Sequence, residues 1–203
     1  MEYTSTVTIG RWRERIRGLP LQRESLEDND LVTRTLAGDT RSYEELVRRY
    51  ERLVGRVLYP YARRETSAED LVQETFLRAY DRLDTFNPEY RFKTWLLAIA
   101  NNLGVDTLRR RREVVEFNQE VHAGSAGGPE AATLESDRSR VVQEAIGSLP
   151  EIYGVSLILR YTEEMSYAEI AEVLDITVPA VKSRLFRARN MLAEKLQDEG
   201  EAL

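Results

Sequence analysis

The stretch Ser166-Tyr-Ala-Glu-Ile-Ala-Glu-Val-Leu-Asp-Ile-Thr-Val-Pro-Ala-Val-Lys-Ser-Arg-Leu-Phe-Arg-Ala-Arg189 reads as helix, tight turn, helix. Ser166 and Glu169, three residues apart, form a capping box, in which each side chain accepts the other's backbone N–H at the open end of a helix. Ile170, Val173 and Leu174 continue as an apolar stripe at helical spacing, and the stripe stops at Asp175. Aspartate is one of the few residues with a Cβ that tolerates a left-handed backbone, as a sharp helix-to-helix corner requires. Asp175 is therefore the turn, and Thr177 caps the second helix.

On that second helix Val181, Leu185, Ala188 and Leu192 share one face. The opposite arc is Ser183, Phe186, Arg187 and Asn190, flanked by Lys182, Arg184 and Arg189. Between Lys182 and Arg189 there are four cations and no acid. A helix that enters the DNA major groove needs this mixture: cations for phosphates, arginine for guanine, a hydroxyl, and an apolar contact for a thymine methyl. A solvated basic face would not call for an exposed Phe186.

The chain has 203 residues, 42% of them hydrophobic and 32% charged, which suits one medium or two small folded domains. No apolar run approaches a membrane span and no signal-peptide segment opens the chain, so a cytoplasmic protein without membrane insertion is expected. With no cysteine and one histidine, His122, disulfides and the usual zinc sites are excluded, and neither a metal nor another cofactor is expected. The net charge of −6 is unusual for a free-standing DNA binder. The cations are concentrated in Arg109–Arg112 and in Lys182–Arg189, so basic surface is local and binding should depend on another molecule.

Residues 1–29 carry no strong apolar periodicity and read as a loosely ordered extension, with a short basic segment from Arg11 to Arg17. From Asp30 the pattern sharpens. Leu31, Val32 and Leu36 lead to a stop and restart at Gly38-Asp39, then Tyr43, Leu46, Val47, Tyr50, Val54 and Leu58 repeat at helical spacing until Pro60. Ser67-Ala-Glu-Asp70 is a second capping box, followed by Leu71, Val72, Thr75, Phe76, Ala79, Tyr80 and Leu83. The polar side of that helix shows Glu69, Asp70, Gln73 and Glu74, either an acidic docking surface or acids favoured by the helix N-terminus.

Asn87-Pro88 breaks the pattern and makes a loop carrying Phe86 and Tyr90. Phe92, Trp95, Leu96, Ile99, Ala100 and Leu103 build the next helix, which runs into Arg109–Arg112 and offers Lys93, Asn101, Asn102 and Asp106 on its polar side. An aromatic loop beside a helix that ends in cations is a way to hold single-stranded DNA, bases against rings and phosphates against cations; Trp95, on the apolar stripe, belongs to the core. Residues 113–136, with five glutamates, no Lys or Arg and the centre Ala123-Gly-Ser-Ala-Gly-Gly-Pro129, read as a flexible acidic linker. As coil its ends would lie roughly 25–30 Å apart and when extended about 80 Å, so it is expected to span something rather than merely hinge two packed domains. Beyond it, Val141, Val142, Ala145, Ile146 and Leu149 form a helix. Ser148-Leu-Pro-Glu151 caps the next, whose expected buried positions are Ile152, Val155, Leu157, Ile158 and Tyr161, with Gly154 weakening it slightly. No strand-type alternation appears, so the fold is expected to be all-α, two small helical domains.

Together these motifs resemble bacterial RNA polymerase sigma factors of the extracytoplasmic-function (ECF) type. Asp70-Leu-Val-Gln-Glu-Thr-Phe76 resembles the family's polymerase-docking helix. Phe92-Lys-Thr-Trp-Leu-Leu-Ala-Ile-Ala-Asn-Asn102 through Arg112 is similar to the segment that opens and reads the minus-ten element. Leu149-Pro150, Leu159-Arg-Tyr161 and Ser166 to Arg189 are similar to the domain that reads the minus-thirty-five element. The resemblance implies an extension at 1–29, a region 2 domain at 30–112, a linker at 113–136 and a region 4 domain at 137–198. It implies polymerase contacts by Asp70, Gln73 and Glu74; minus-ten contacts by Phe86, Tyr90, Asn102, Arg109, Arg110 and Arg111; and minus-thirty-five contacts by Lys182, Ser183, Arg184, Phe186 and Arg187. The expected partners are core RNA polymerase, promoter DNA both duplex and melted, and an anti-sigma factor, for a chain that is a monomer when free and does no covalent chemistry. The chain departs from the family at Asp175, where Gly is frequent, at Pro179-Ala180, where Gly-Thr is frequent, and at Gly154. A free-standing helix-turn-helix repressor is the alternative, since the basic helix alone suffices for it. An acid–base enzyme using Asp70 and Glu74 lacks any cleft-like or phosphate-cradling pattern beside them.

Overall fold

The computed structural model describes residues 23–62, 66–117 and 145–201, and among these every element is helical. The segment Arg11–Arg17, His122 and the centre of the linker lie outside the described residues. Helix α1 spans Arg23–Leu36, α2 Thr40–Leu58, α3 Ala68–Asp81 and α4 Phe92–Phe117. Helix α5 spans Glu151–Leu157, α6 Tyr167–Val173 and α7 Val178–Glu201.

Local chemistry sets most of these boundaries. Gly38 turns the chain with φ +98°, and Asp39 then caps α2, its carboxylate accepting Arg41 N–H at 3.1 Å and Ser42 Oγ–H at 2.8 Å. The Ser42 bond holds the Asp39 carboxyl below its ordinary pKa. Pro60 closes α2 in a single 3₁₀ turn over Tyr59–Tyr61. Both capping boxes form, Ser67 with Asp70 and Ser166 with Glu169. Asp175 takes φ 49°, the left-handed corner expected of it, and Thr177 Oγ1 accepts Ala180 N–H at 3.3 Å.

Four local expectations fail. Helix α1 begins well before residue 30, and Asp28 is buried, accepting Arg49 Nη1 at 2.6 Å and the Tyr50 hydroxyl. This buried carboxylate, together with the Asn29 amide bonded to the Pro88 carbonyl, ties the first turns of α1 to the bundle, and apolar periodicity registers neither. Ser148 does not cap α5: its hydroxyl donates to the Ala145 carbonyl at 2.7 Å, and Pro150, without a side-chain acceptor, holds the cap position. Tyr161 is 56% exposed, because α5 runs into a π-helical turn over Ile158–Thr162 whose extra residue rotates it off the buried face. Ile152, in the first turn of α5, is also largely exposed.

Helices α1 to α4 form one bundle, with α2 against α1, α3 and α4. Its interior is Leu46, Tyr50, Val54, Val57, Leu58, Phe76, Phe92, Leu96 and Leu97. Helix α7 packs across α5 and α6. The bundle and this second unit are not held apart: α4 packs on α6, and the Tyr59–Tyr61 turn packs on α5. Their buried apolar residues form a single contiguous cluster. Glycines permit the approach. A Cβ on Gly147 would lie 2.8 Å from the Tyr59 ring, and one on Gly154 would lie 3.4 Å from Pro60 Cγ. The expectation that the halves do not pack is therefore corrected, and Gly154, a mild flaw for helix propensity, is where the two units come close.

Candidate nucleic-acid faces and docking helix

The amphipathic face of α7 places Val181, Leu185 and Ala188 in the core, at 0%, 3% and 0% exposure. Lys182, Ser183, Phe186, Arg187, Arg189 and Asn190 are thereby turned outward. Phe186 is 58% exposed, an apolar ring set among cations. The arc inferred from helical spacing is thus present as a surface. Arg184 is the exception. It is half-buried beside Tyr61 and Tyr153, and the burial lowers its guanidinium pKa from the ordinary value. It faces the other half of the molecule rather than joining the outward arc.

Tyr167, in the first turn of α6, is a residue that helical spacing does not single out. Its ring lies under the Arg160 guanidinium, 5.0 Å from centroid to Cζ, and 5.9 Å from Lys182 Nζ. Both distances are within cation–π range, so the ring steadies two cations at the edge of the basic arc. The only signal in the sequence is an aromatic residue off the apolar stripe.

Along α4, Asn102, Arg109 and Arg110 are exposed, on the polar side where spacing puts them. Asn101 is not: it is 5% exposed and accepts the Tyr61 hydroxyl at 2.7 Å. Arg111 is half-buried and donates to the Tyr61 carbonyl at 3.2 Å. Phe86 is 8% exposed, its ring 5.6 Å from Phe92 and 5.5 Å from Trp95. It anchors the loop to the core and presents no free face for a base. Tyr90 is half-buried in a turn closed by its own N–H to the Asn87 carbonyl at 3.0 Å, and Asn29 Nδ2 pins Pro88 through its carbonyl at 2.8 Å.

On α3 the residues Asp70, Gln73, Glu74 and Leu77 follow one another at helical spacing along one side. Asp70 and Gln73 are exposed, whereas Glu74 is half-buried and accepts Arg78 Nε at 2.7 Å. Asp70 also closes the cap with Ser67. Leu77 is 62% exposed, and Tyr80, expected on the apolar stripe, is 46% exposed and edge-on to Tyr43 with ring centroids 4.9 Å apart. The face is therefore acidic at its N-terminal end and apolar at its C-terminal end, a mixture suited to docking a protein. Among the described residues no cluster of His, Cys, Asp and Glu could hold a metal ion, and no helix is long and apolar enough to cross a membrane.

Residues 46–114 match the family model of Sigma-70 region 2, and residues 139–192 match that of Sigma-70, region 4. The chain is 36% identical over 185 residues to the ECF RNA polymerase sigma-E factor of Haemophilus influenzae, covering 86% of this chain and 97% of that protein. It is 34% identical over 173 residues to the ECF RNA polymerase sigma factor SigW of Bacillus subtilis, covering 79% and 92% of the two chains. Among solved structures it is similar to RpoE of Bartonella quintana in complex with the anti-sigma factor NepR, with TM-score 0.66 and 26% identity over 77% of this chain and 98% of that one. It is also similar to CnrH in complex with the cytosolic domain of CnrY, with TM-score 0.61 and 28% identity over 85% and 98%.

Proposed function

The chain belongs to the ECF family of RNA polymerase sigma factors, and from that premise we propose how its surfaces divide the work. The observation that carries the reading is one chain with two separate outward basic faces, on α7 and along α4, and a third, acidic-to-apolar face on α3. Sigma factors are not enzymes, and this one acts by binding. Asp70, Gln73 and Glu74, extended by Leu77, dock core polymerase. Asn102, Arg109 and Arg110 meet the melted minus-ten strand, with Tyr90 beside them; Phe86 supports that loop from within, and Arg111 supports the helix. Lys182, Ser183, Phe186 and Arg187 read the minus-thirty-five duplex, and Arg184 joins them only when it leaves Tyr61. The units are a region 2 domain at 30–112 and a region 4 domain at 137–198, joined by the linker at 113–136. The protein works in the cytoplasm as a monomer when free.

The two similar structures are complexes with NepR and with CnrY. By that likeness this chain is held by an anti-sigma factor until a stress signal releases it. Run-off transcription with core polymerase on a pool of promoter fragments tests the reading. The wild-type chain switches on new transcripts, and Gln73→Ala/Glu74→Ala depresses all of them. Arg187→Ala costs about 1–3 kcal/mol of promoter discrimination, roughly five- to a hundred-and-fiftyfold, only where a minus-thirty-five element is needed. A chain that binds promoter DNA without polymerase and only represses would be a helix-turn-helix repressor instead.

A further inference from the structure

Three cations of the first unit meet two carboxylates of the second. Arg56 donates to Glu163 Oε1 through Nε at 2.8 Å and Nη2 at 2.6 Å, and Lys93 Nζ reaches the other oxygen of the same carboxylate at 3.3 Å. Arg91 Nη1 donates to Glu169 Oε1 at 2.7 Å. Both acids are shielded, with side chains 7% and 12% exposed, while the cations keep 26–43%. Arg91 is satisfied only in part, because its Nε–H is buried and has no acceptor.

Three positive charges against two negative ones leave the cluster with an excess cation, and a monodentate carboxylate leaves an arginine fork half used. Both are what successive phosphodiesters of a strand would complete: one negative charge for each of the three cations, and paired oxygens that accept from an arginine fork. Arg91 and Lys93 flank the start of α4, the helix whose exposed Asn102, Arg109 and Arg110 form a nucleic-acid face.

We infer that Arg56, Arg91 and Lys93 are a nucleic-acid phosphate site, and that Glu163 and Glu169 of the second unit occupy it in the closed molecule. The carboxylates stand where phosphate oxygens bind, so closing and DNA binding compete for the same three cations. Opening exposes the site, and DNA bound there holds the molecule open. The competition explains in one device why an acidic chain with local cations binds DNA poorly alone.

The inference rests on the reading of the chain as a DNA-binding subunit, and its test uses no polymerase. A chain that fails in run-off transcription can thus still pass here, and the reverse. The full chain, which contains no cysteine, is labelled at Asp84→Cys and Glu194→Cys for a spectroscopic distance. Its affinity for a short fluorescein-labelled duplex of arbitrary sequence is followed by anisotropy over a range of salt. Glu163→Gln/Glu169→Gln removes both charges, and a glutamine at the second position keeps an acceptor for the Ser166 cap. In that variant the label distance lengthens and the duplex binds about tenfold tighter. Three newly available phosphate contacts also steepen the slope of log affinity against log salt by about 2–3. Adding Arg56→Gln, Arg91→Gln and Lys93→Gln leaves the distance long and abolishes the gain. In the otherwise wild-type chain the same three changes open the molecule without tightening DNA. An unchanged distance in the glutamate variant, opening with no gain in affinity, or a gain that survives loss of the three cations would each overturn the inference.

Discussion

Tyr61 is held at its hydroxyl, at its carbonyl and along its ring. Its hydroxyl donates to Asn101, its carbonyl accepts Arg111, and its ring lies against Gly104, with Arg184 beside it. Burial, outweighing the lowering effect of Arg184, pushes the phenol pKa well above its usual value. An unfolded tyrosine releases its proton near pH 10, so the contribution of Tyr61 is complete below about pH 10 and is lost as pH rises from there through the folded value. Tyr61→Phe should cost about 1–3 kcal/mol in urea unfolding at neutral pH, since the Asn101 oxygen loses its donor. The deficit should shrink as the titration is carried above about pH 10. A deficit that is constant with pH would show that the hydroxyl does not titrate in this way. At this scale the sequence is legible wherever the chemistry is local. Ser67, Ser166, Asp175 and Thr177 act on backbone within a few residues of themselves. Asn101 and Arg184 are misread because helical spacing assigns each a direction, and Phe86 because a loop assigns none, while their partners, Tyr61, Tyr153 and Trp95, come from other elements.

Helix α4 runs for 26 residues through both the core and the proposed nucleic-acid face, with Gly104 in its middle. By propensity alone Gly104→Ala should favour the helix by about 1 kcal/mol. The contact reverses the sign: a Cβ there would lie 2.3 Å from Tyr61 Cδ2, and the ring is already confined. Overpacking of this kind costs about 1–3 kcal/mol, so Gly104→Ala should lower the urea midpoint. A raised midpoint would mean that the Tyr61 ring has room to move. Element boundaries are readable where punctuation is explicit, as at Gly38-Asp39, Pro60 and the two capping boxes. The π turn after α5 is not, because one extra residue in a helix leaves no mark in composition and shifts only the face presented by the residues beyond it. Leu77 escapes notice on α3 for the opposite reason, as a single leucine on the polar side of the helix breaks no pattern.

For the whole molecule, the all-α architecture could be read from periodicity, but the packing of one half on the other could not. The acidic segment between them gives reach, and reach says nothing of whether the ends meet. The meeting depends on a missing side chain at Gly147, where a Cβ would lie 2.8 Å from the Tyr59 ring. Gly147→Leu should therefore separate the halves, raising the radius of gyration in small-angle scattering while leaving helical circular dichroism unchanged. An unchanged radius would show that the Tyr59 contact does not govern the approach. Glu169 adds a consequence for heredity. One carboxylate starts the helix-turn-helix and grips Arg91, 78 residues away. Anyone recombining halves from different relatives would find the sensitive junction here rather than in the linker, since a graft can carry over an intact fold and still lose the grip between its parts. Selection acting on either role would then constrain the other, so the two halves should drift together as a matched set.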